Sequence, residues 1–392
     1  MRKGWEYKKL GEVCDVINGY AFKSSKYTSQ GTRIIRITNV QKGYVVDNDP
    51  KFYSDEDFKD LFQYSLFEGD LVMSLTGNVG RVGILQKNML PAALNQRVAC
   101  LRVKSKKMQL NYLFHLLNSN LFENAAIQSA RGIAQLNMST EWLKNYIIPL
   151  PPLSTQLAIV SELDKINELI RLKKEQLKDF DNLAQSLFYE MFGDPMENEK
   201  GWEVKKLGEI GEFKNGLNFS KDEKGHSIKF LGVSDFQNKK SIASDQLAYI
   251  SLSERVQEDY LLKTGDLVFV RSNGKKELIG RSVKMYITEP TTYSGFCIRC
   301  RITDEKVDKD YIAILLKTPI IRQFMTNSGR GCNISNLNQK ILNSIPTILP
   351  PLPLQRLFAQ RIEQIEREKS EVQKSIQDLE TLLASRMQYW FE

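Results

Sequence analysis

The chain has 392 residues, 42% of them apolar and 26% charged, with a formal net charge of +8 and a pI near 9.0. No run of about 18 apolar residues occurs, and the start Met-Arg-Lys-Gly-Trp-Glu has no apolar stretch behind it, so neither a membrane-spanning helix nor a secretory signal is expected and the cytoplasm is the default location. The length suits two domains of ordinary size, and the positive balance permits a nucleic-acid partner without proving one.

In chain order, the first feature is "WEYKKLGEV" at 5–13, followed by Asn18-Gly19 and Phe22. Short β-like runs come next, "GDLVMSL" (69–75) and "RVACLRV" (97–103), parted by Gly/Asn turns. "TGNVGRVG" (76–83) bears glycines but precedes a strand-like run, so it reads as a β-turn rather than a nucleotide cradle. A helical patch spans roughly 109–130 and carries His115 within "NYLFHLLN", which reads as a satisfied helix histidine rather than a base. "ARGIAQLN" (130–137) leads to a proline cluster, Pro149, Pro151 and Pro152, which breaks what precedes it and can open a helix.

That helix is the strongest prediction. Ile159, Leu163, Ile166, Ile170, Lys173, Leu177, Phe180, Ala184, Leu187 and Met191 are spaced 4, 3, 4, 3, a heptad seam with one lysine inside it. Ser154 is the expected N-cap, and Gly193-Asp194-Pro195 stops the helix. About 38 residues at 1.5 Å each give roughly 57 Å.

The second half repeats the first. "WEVKKLGEI" returns at 202–210, with Asn215-Gly216 and Phe219 at the same offset. "TGDLVFVRSNGKK" (264–276) resembles "EGDLVMSLTGNVG" (68–80), and "FCIRCRIT" (296–303) is β-like. A helical patch at about 308–327 and "GRGCNISN" (329–336) precede Pro346, Pro350, Pro351 and Pro353. The closing helix has the seam Phe358, Ile362, Ile365, Lys369, Val372, Ile376, Leu379, Leu383, Arg386 and Trp390. Neither helix can bury its seam alone. The simplest solution is an antiparallel pair with one globular domain at each end, which brings Trp5 close to Glu392 and Trp390.

The predicted fold is therefore α+β: two similar mixed α/β domains (1–152 and 194–351) separated by a long antiparallel two-helix coiled coil (153–193 and 352–392), a pseudo-twofold internal repeat. Charge follows this partition. Residues 1–152 hold 20 basic against 13 acidic residues, net +7, and 194–351 net +4, while the helices are net −2 and −1.

Catalytic signatures are missing. There is no G-x-x-x-x-G-K-[ST] loop, no G-x-G-x-x-G after a strand, no Asn/Asp-Pro-Pro-aromatic methyltransferase signature, and no repeated acid-x-Lys pair. The five cysteines are odd in number and scattered, as reduced thiols are. Cys297 and Cys300 form a CxxC, but strand alternation points them to opposite faces, so core cysteines are expected rather than a metal site. What repeats is scaffold, and what differs is the middle of each globular unit.

On these motifs the sequence resembles the specificity (S) subunit of Type I restriction-modification systems. The resemblance rests on W-E-x-K-K-L-G-E-[VI] at 5–13 and 202–210, N-G-x-x-F at 18–22 and 215–219, and G-D-L-V at 69–72 and 265–268. Pro151-Pro152-Leu153 to Gln156, matched by Pro350 to Gln355, and the heptad helices complete it. It covers essentially the whole chain. It implies a non-catalytic DNA reader with two target-recognition domains, each reading half of a bipartite, asymmetric DNA sequence. It also implies two methyltransferase subunits docked on the helices, S-adenosylmethionine bound by those subunits and not by this chain, and restriction subunits able to join. No metal is implied. A coiled-coil protein–protein adaptor is the rival, and an enzyme of DNA metabolism with an unfamiliar site is another.

Base reading needs Arg, Lys, Asn and Gln on loops, and phosphate contact adds Ser and Thr. On that basis the DNA-contacting candidates of the first domain are Lys23, Ser24, Arg33, Arg36, Asn39, Thr76, Asn78, Arg81, Asn95, Gln96, Arg97 and Arg131. Those of the second are Lys221, Arg271, Ser272, Asn273, Lys275, Lys276, Arg281, Arg299 and Arg330.

Overall fold

The structure is a computed structural model that describes residues 2, 4–130, 132, 136–219, 224–236, 241–272, 278–327 and 336–391. It divides into two compact units, residues 1–175 with 373–392, and residues 176–372. Each long helix is continuous, Leu153–Phe192 and Leu352–Phe391, and contributes its two ends to different units.

In the first unit the opening segment forms a strand, Glu6–Lys9, paired antiparallel with Ile147–Leu150 just before the prolines. A single helical turn, Leu10–Val13, follows it, and Glu12 accepts a hydrogen bond from the Lys9 backbone N–H. A central sheet then runs in the order Cys14–Asn18, Val98–Val103, Leu71–Ser74, Val82–Ile84. Its strands alternate between two cores. Leu71, Met73, Ala99 and Leu101 face helices Leu110–Leu117 and Asn120–Ser129, while Val72, Val98 and Cys100 face a second sheet containing Thr32–Ile35 and Ala92–Leu94. Burial on both faces is why "GDLVMSL" reads as a continuous apolar run rather than an alternating one.

The second unit repeats this plan. Glu203–Lys206 pairs with Pro346–Leu349. A five-stranded sheet runs Gly211–Asn215, Cys297–Ile302, Leu267–Val270, Ser282–Tyr286, Ser241–Ala243. Leu267, Phe269, Ile298 and Cys300 face one core, and Val268, Val270 and Cys297 the other. Cys297 and Cys300 thus point to opposite faces, and burial pushes the Cys297 thiol up to about 12.

Two repeated motifs have structural work. The aspartate of each G-D-L-V is buried, Asp70 at 4% and Asp266 at 2% exposure. Arg102 donates to both carboxylate oxygens of Asp70 at 2.8 and 2.6 Å, and Arg301 to those of Asp266 at 2.8 and 2.7 Å. The glutamine after each proline cluster is a latch. Gln156 donates to the carbonyls of Lys107 and Pro151 and accepts from the Gln109 N–H, each at 2.8 Å. Gln355 donates to Pro350 and Lys306 and accepts from Asp308 N–H. The first helix begins at Leu153, so Ser154 lies inside its first turn and is not the cap expected from sequence. Gln156 ties that first turn to the domain. The helix stops at Gly193, which takes φ +76° and donates to the Tyr189 carbonyl.

The seams are turned inward as their spacing predicts. In the first unit Glu162 meets Arg386 and Trp390, and Lys174 meets Glu380 at 2.8 Å, so the partner number falls as the helix advances and the pairing is antiparallel. In the second unit Phe188 and Phe192 pack on Phe358, and Asp181 pairs with the seam lysine Lys369, again antiparallel. The Arg2 guanidinium lies over the rings of Trp5, Tyr389 and Trp390 at 5.0, 4.9 and 5.5 Å, which joins the two ends of the chain within the first unit. Glu392 falls outside the described residues. In the second unit the Trp202 indole donates to the Phe192 carbonyl at 2.9 Å.

Candidate nucleic-acid interface

One end of each central sheet gathers loops from distant parts of the chain. In the first unit the strand Thr32–Ile35 runs parallel to Ala92–Leu94, so both deliver their following residues to the same edge. Asn95 N–H donates to the Ile35 carbonyl, and Gln96 N–H to that of Tyr20. Leu75 N–H donates to the Arg97 carbonyl at 3.0 Å, while Thr76 bridges to Asn137. The turn at 95–97, the hairpin at 75–81 and the segment 136–138 therefore share one rim. Gly19 is required beneath it: a Cβ there would meet the Asn95 carbonyl oxygen at 2.2 Å. This explains the first N-G motif by close backbone approach rather than by an unusual φ.

The second unit builds the same rim. Arg271 and Ser272 N–H groups point to the Phe296 carbonyl at 2.8 and 3.4 Å, and the Leu337 N–H donates to the Arg271 carbonyl. Leu217 bridges to Ser294 as Tyr20 does to Asn95, and a Cβ on Gly216 would meet the Ser294 oxygen at 2.2 Å. The hydrogen bonds align Leu75 with Arg271, Thr76 with Ser272, and Arg97 with Phe296.

Within the first unit, Lys23, Ser24, Asn78, Gln96 and Arg97 are exposed, and their side chains make no hydrogen bond or ion pair among the described residues. Thr76 is half-buried, its hydroxyl without a hydrogen-bond partner among the described residues, and Asn95 accepts from the Arg97 N–H. Arg81 is half-buried and donates to the Gln41 side chain at 2.9 Å. Arg36 is held by Asp49, whose carboxyl is kept below its usual range chiefly by Lys51 and also by Arg36. Arg33 sits at the opposite end of its strand, donating to the Met89 carbonyl at 2.6 Å and paired with Asp47.

Two candidates are corrected by their burial. Asn39 is 2% exposed, and its amide accepts from Arg36 N–H and donates to the Val46 carbonyl, closing a turn. Arg299 is 5% exposed on the strand Cys297–Ile302 and donates to the Asp259 carbonyl at 2.8 Å. Both side chains serve the fold and present nothing to a groove. Arg271 and Ser272 lie half-buried on the second rim, and Arg281 is half-buried on the returning side of the same hairpin, its carbonyl accepting from the Val270 N–H at 2.9 Å. Arg131, Lys221, Asn273, Lys275, Lys276 and Arg330 lie outside the described residues.

Phe296, which is not among the sequence candidates, stands on the second rim at 60% exposure. Aligning the two copies through "NQRVAC" (95–100) and "SGFCIR" (294–299) would have placed it opposite Arg97. His115 is buried against the first long helix, with Nε2 2.7 Å from the Asp164 carboxylate, and so ties a domain helix to the coiled coil.

The model of the Type I restriction modification DNA specificity domain matches residues 2–179 and 199–381, one copy for each repeat. The chain is 22% identical over 408 residues to the StySPI specificity subunit of Salmonella potsdam, covering 98% of this chain and 87% of that protein. It is 32% identical over 187 residues to the MjaVIII specificity subunit of Methanocaldococcus jannaschii, a match that takes in 47% of this chain and only 44% of its relative. Among solved structures, a chain from work on complex assembly and conformational transition of the type I R-M system superposes with a TM-score of 0.64 at 19% identity, covering 100% of this chain and 98% of the other. The S subunit from M. genitalium superposes at 0.51 with 15% identity, covering 98% and 95%.

Proposed function

The chain belongs to the Type I restriction-modification DNA specificity family, and on that premise we propose that each of its units reads one half of a bipartite, asymmetric DNA target. The observation that carries this reading is the pair of rims. Their backbones are built alike, down to Gly19 and Gly216, yet Leu75, Gln96 and Arg97 on one stand where Arg271, Gly295 and Phe296 stand on the other. Like frames with unlike side chains suit two different half-sites. Net charges of +7 and +4 on the two globular segments suit a phosphate backbone.

The long helices set the spacer and dock two methyltransferase subunits, to which restriction subunits can join. Leu157, Leu169, Leu172, Leu183, Leu357 and Leu382 remain exposed along them, apolar surface that docked subunits would cover. Methyl transfer and S-adenosylmethionine belong to those subunits, and this chain supplies recognition without catalysis, in the cytoplasm where the DNA is.

The test is modification-aware sequencing of the host genome with and without the gene. A two-part modified motif that disappears with the gene is the expected result, and an unchanged set of modified sites overturns the reading. Binding to a duplex carrying that motif should weaken steeply with salt, whereas a protein–protein adaptor would show no such duplex affinity.

A further inference from the structure

The second rim carries an aromatic side chain where the first carries a cation. We propose that Phe296 is a specificity-determining residue that makes an apolar contact with the 5-methyl group of a thymine in the half-site read by the second unit; the proposal rests on the DNA-reading function above.

Phe296 is 60% exposed and makes no ring, cation or hydrophobic-cluster contact among the described residues. An isolated exposed phenylalanine means little by itself. Its setting is what gives it meaning. The backbone beneath it is fixed on both sides: its N–H donates to the Ser294 hydroxyl at 3.2 Å, and its carbonyl accepts from Arg271 and Ser272. The flanking residues Gly295 and Cys297 are buried, so the ring projects from a rigid turn and not from a floppy loop. It stands beside Arg271 and Ser272, side chains suited to phosphate or base edges. Its counterpart Arg97 is exposed, unpaired among the described residues and suited to a guanine edge. In the major groove thymine is the base that offers a methyl group, and a side chain such as phenylalanine reads it by apolar contact. At this aligned position the two rims therefore differ in the chemistry by which they read: a guanidinium at Arg97, an aromatic ring at Phe296.

The experiment uses the full chain with its methyltransferase subunits and a duplex bearing the motif found by sequencing. Each thymine of either half is replaced in turn by deoxyuridine, which deletes one methyl group. Wild-type protein should lose about fourfold in affinity at a thymine of one half only, the effect of one buried methyl. Phe296→Ala should bind the normal duplex more weakly and lose its sensitivity to that replacement, while Phe296→Leu keeps part of it. Sensitivity unchanged in Phe296→Ala, no position sensitive to uracil, or a target without thymine in either half would each overturn the proposal. Failure to prefer the motif duplex over a scrambled one would instead sink the DNA-reading function itself.

Discussion

Asp266 is 2% exposed, and its two oxygens take both donors of Arg301 together with the Lys263 N–H at 2.7 Å. Deleting the arginine leaves a buried carboxylate without its counter-charge, and such changes cost about 3 kcal/mol or more. Arg301→Ala should lower the unfolding free energy extrapolated from urea titration by about 3 kcal/mol, seen as a lower urea midpoint at unchanged slope. A midpoint like that of wild type would show the pair to be dispensable. His115 gives a different signature. Burial holds its pKa below the ordinary value, against the opposing pull of Asp164. A depressed pKa means the unfolded chain takes up the proton first, so the neutral histidine's contribution is present above about pH 6.5 and is lost as pH falls below that. Thermal midpoints measured from pH 7.5 to 5.5 should decline in wild type and decline less in His115→Gln; parallel curves would rule the histidine out. At this scale the sequence was a poor guide to roles. Residue type nominated Asn39 and Arg299 for DNA, but type does not say that Asn39 closes a turn with nearby backbone groups or that Arg299 faces inward on a strand covered on both sides. Gln156 and Gln355 were visible as repeated letters, and only the folded chain shows them latching helix to domain.

The long helices were the most legible elements because a heptad is a local pattern repeated over many turns. Seam positions from Ile159 to Met191 and from Phe358 to Trp390 turn inward, with Lys369 and Arg386 neutralised by Asp181 and Glu162. The short strands were less legible. Phe52–Tyr53 is two residues long and exists through its pairing with Thr32–Arg33, some twenty residues earlier, which no local window contains. The helices at 40 residues are roughly 60 Å long. If they set the spacer, removing one heptad from each should shorten the unspecified stretch of the modified motif while leaving both halves intact. A motif of unchanged spacing would separate helix length from spacer length.

The whole chain is one unit written twice, at an offset of 196 to 199 residues. The repeated letters proved to be frame. "WEYKKLGEV" and "WEVKKLGEI" each supply a strand and a helical turn, Trp5 stacks on Arg2 beside Trp390, and Trp202 is tied to Phe192. The unrepeated letters sit on the rims. That division accounts for how a sequence can declare its class plainly while withholding a target: the scaffold is shared and therefore patterned, whereas aligned rim positions such as Arg97 and Phe296 carry no common pattern.

The central claim is that the two rims read separate halves of one target. Its most direct measurement is the genome-wide modified motif in strains carrying Arg97→Ala or Arg271→Ala. Each substitution should weaken or relax recognition in one half of the motif, a different half for each, and leave the other half unchanged. Loss of both halves together, or of neither, would contradict the account.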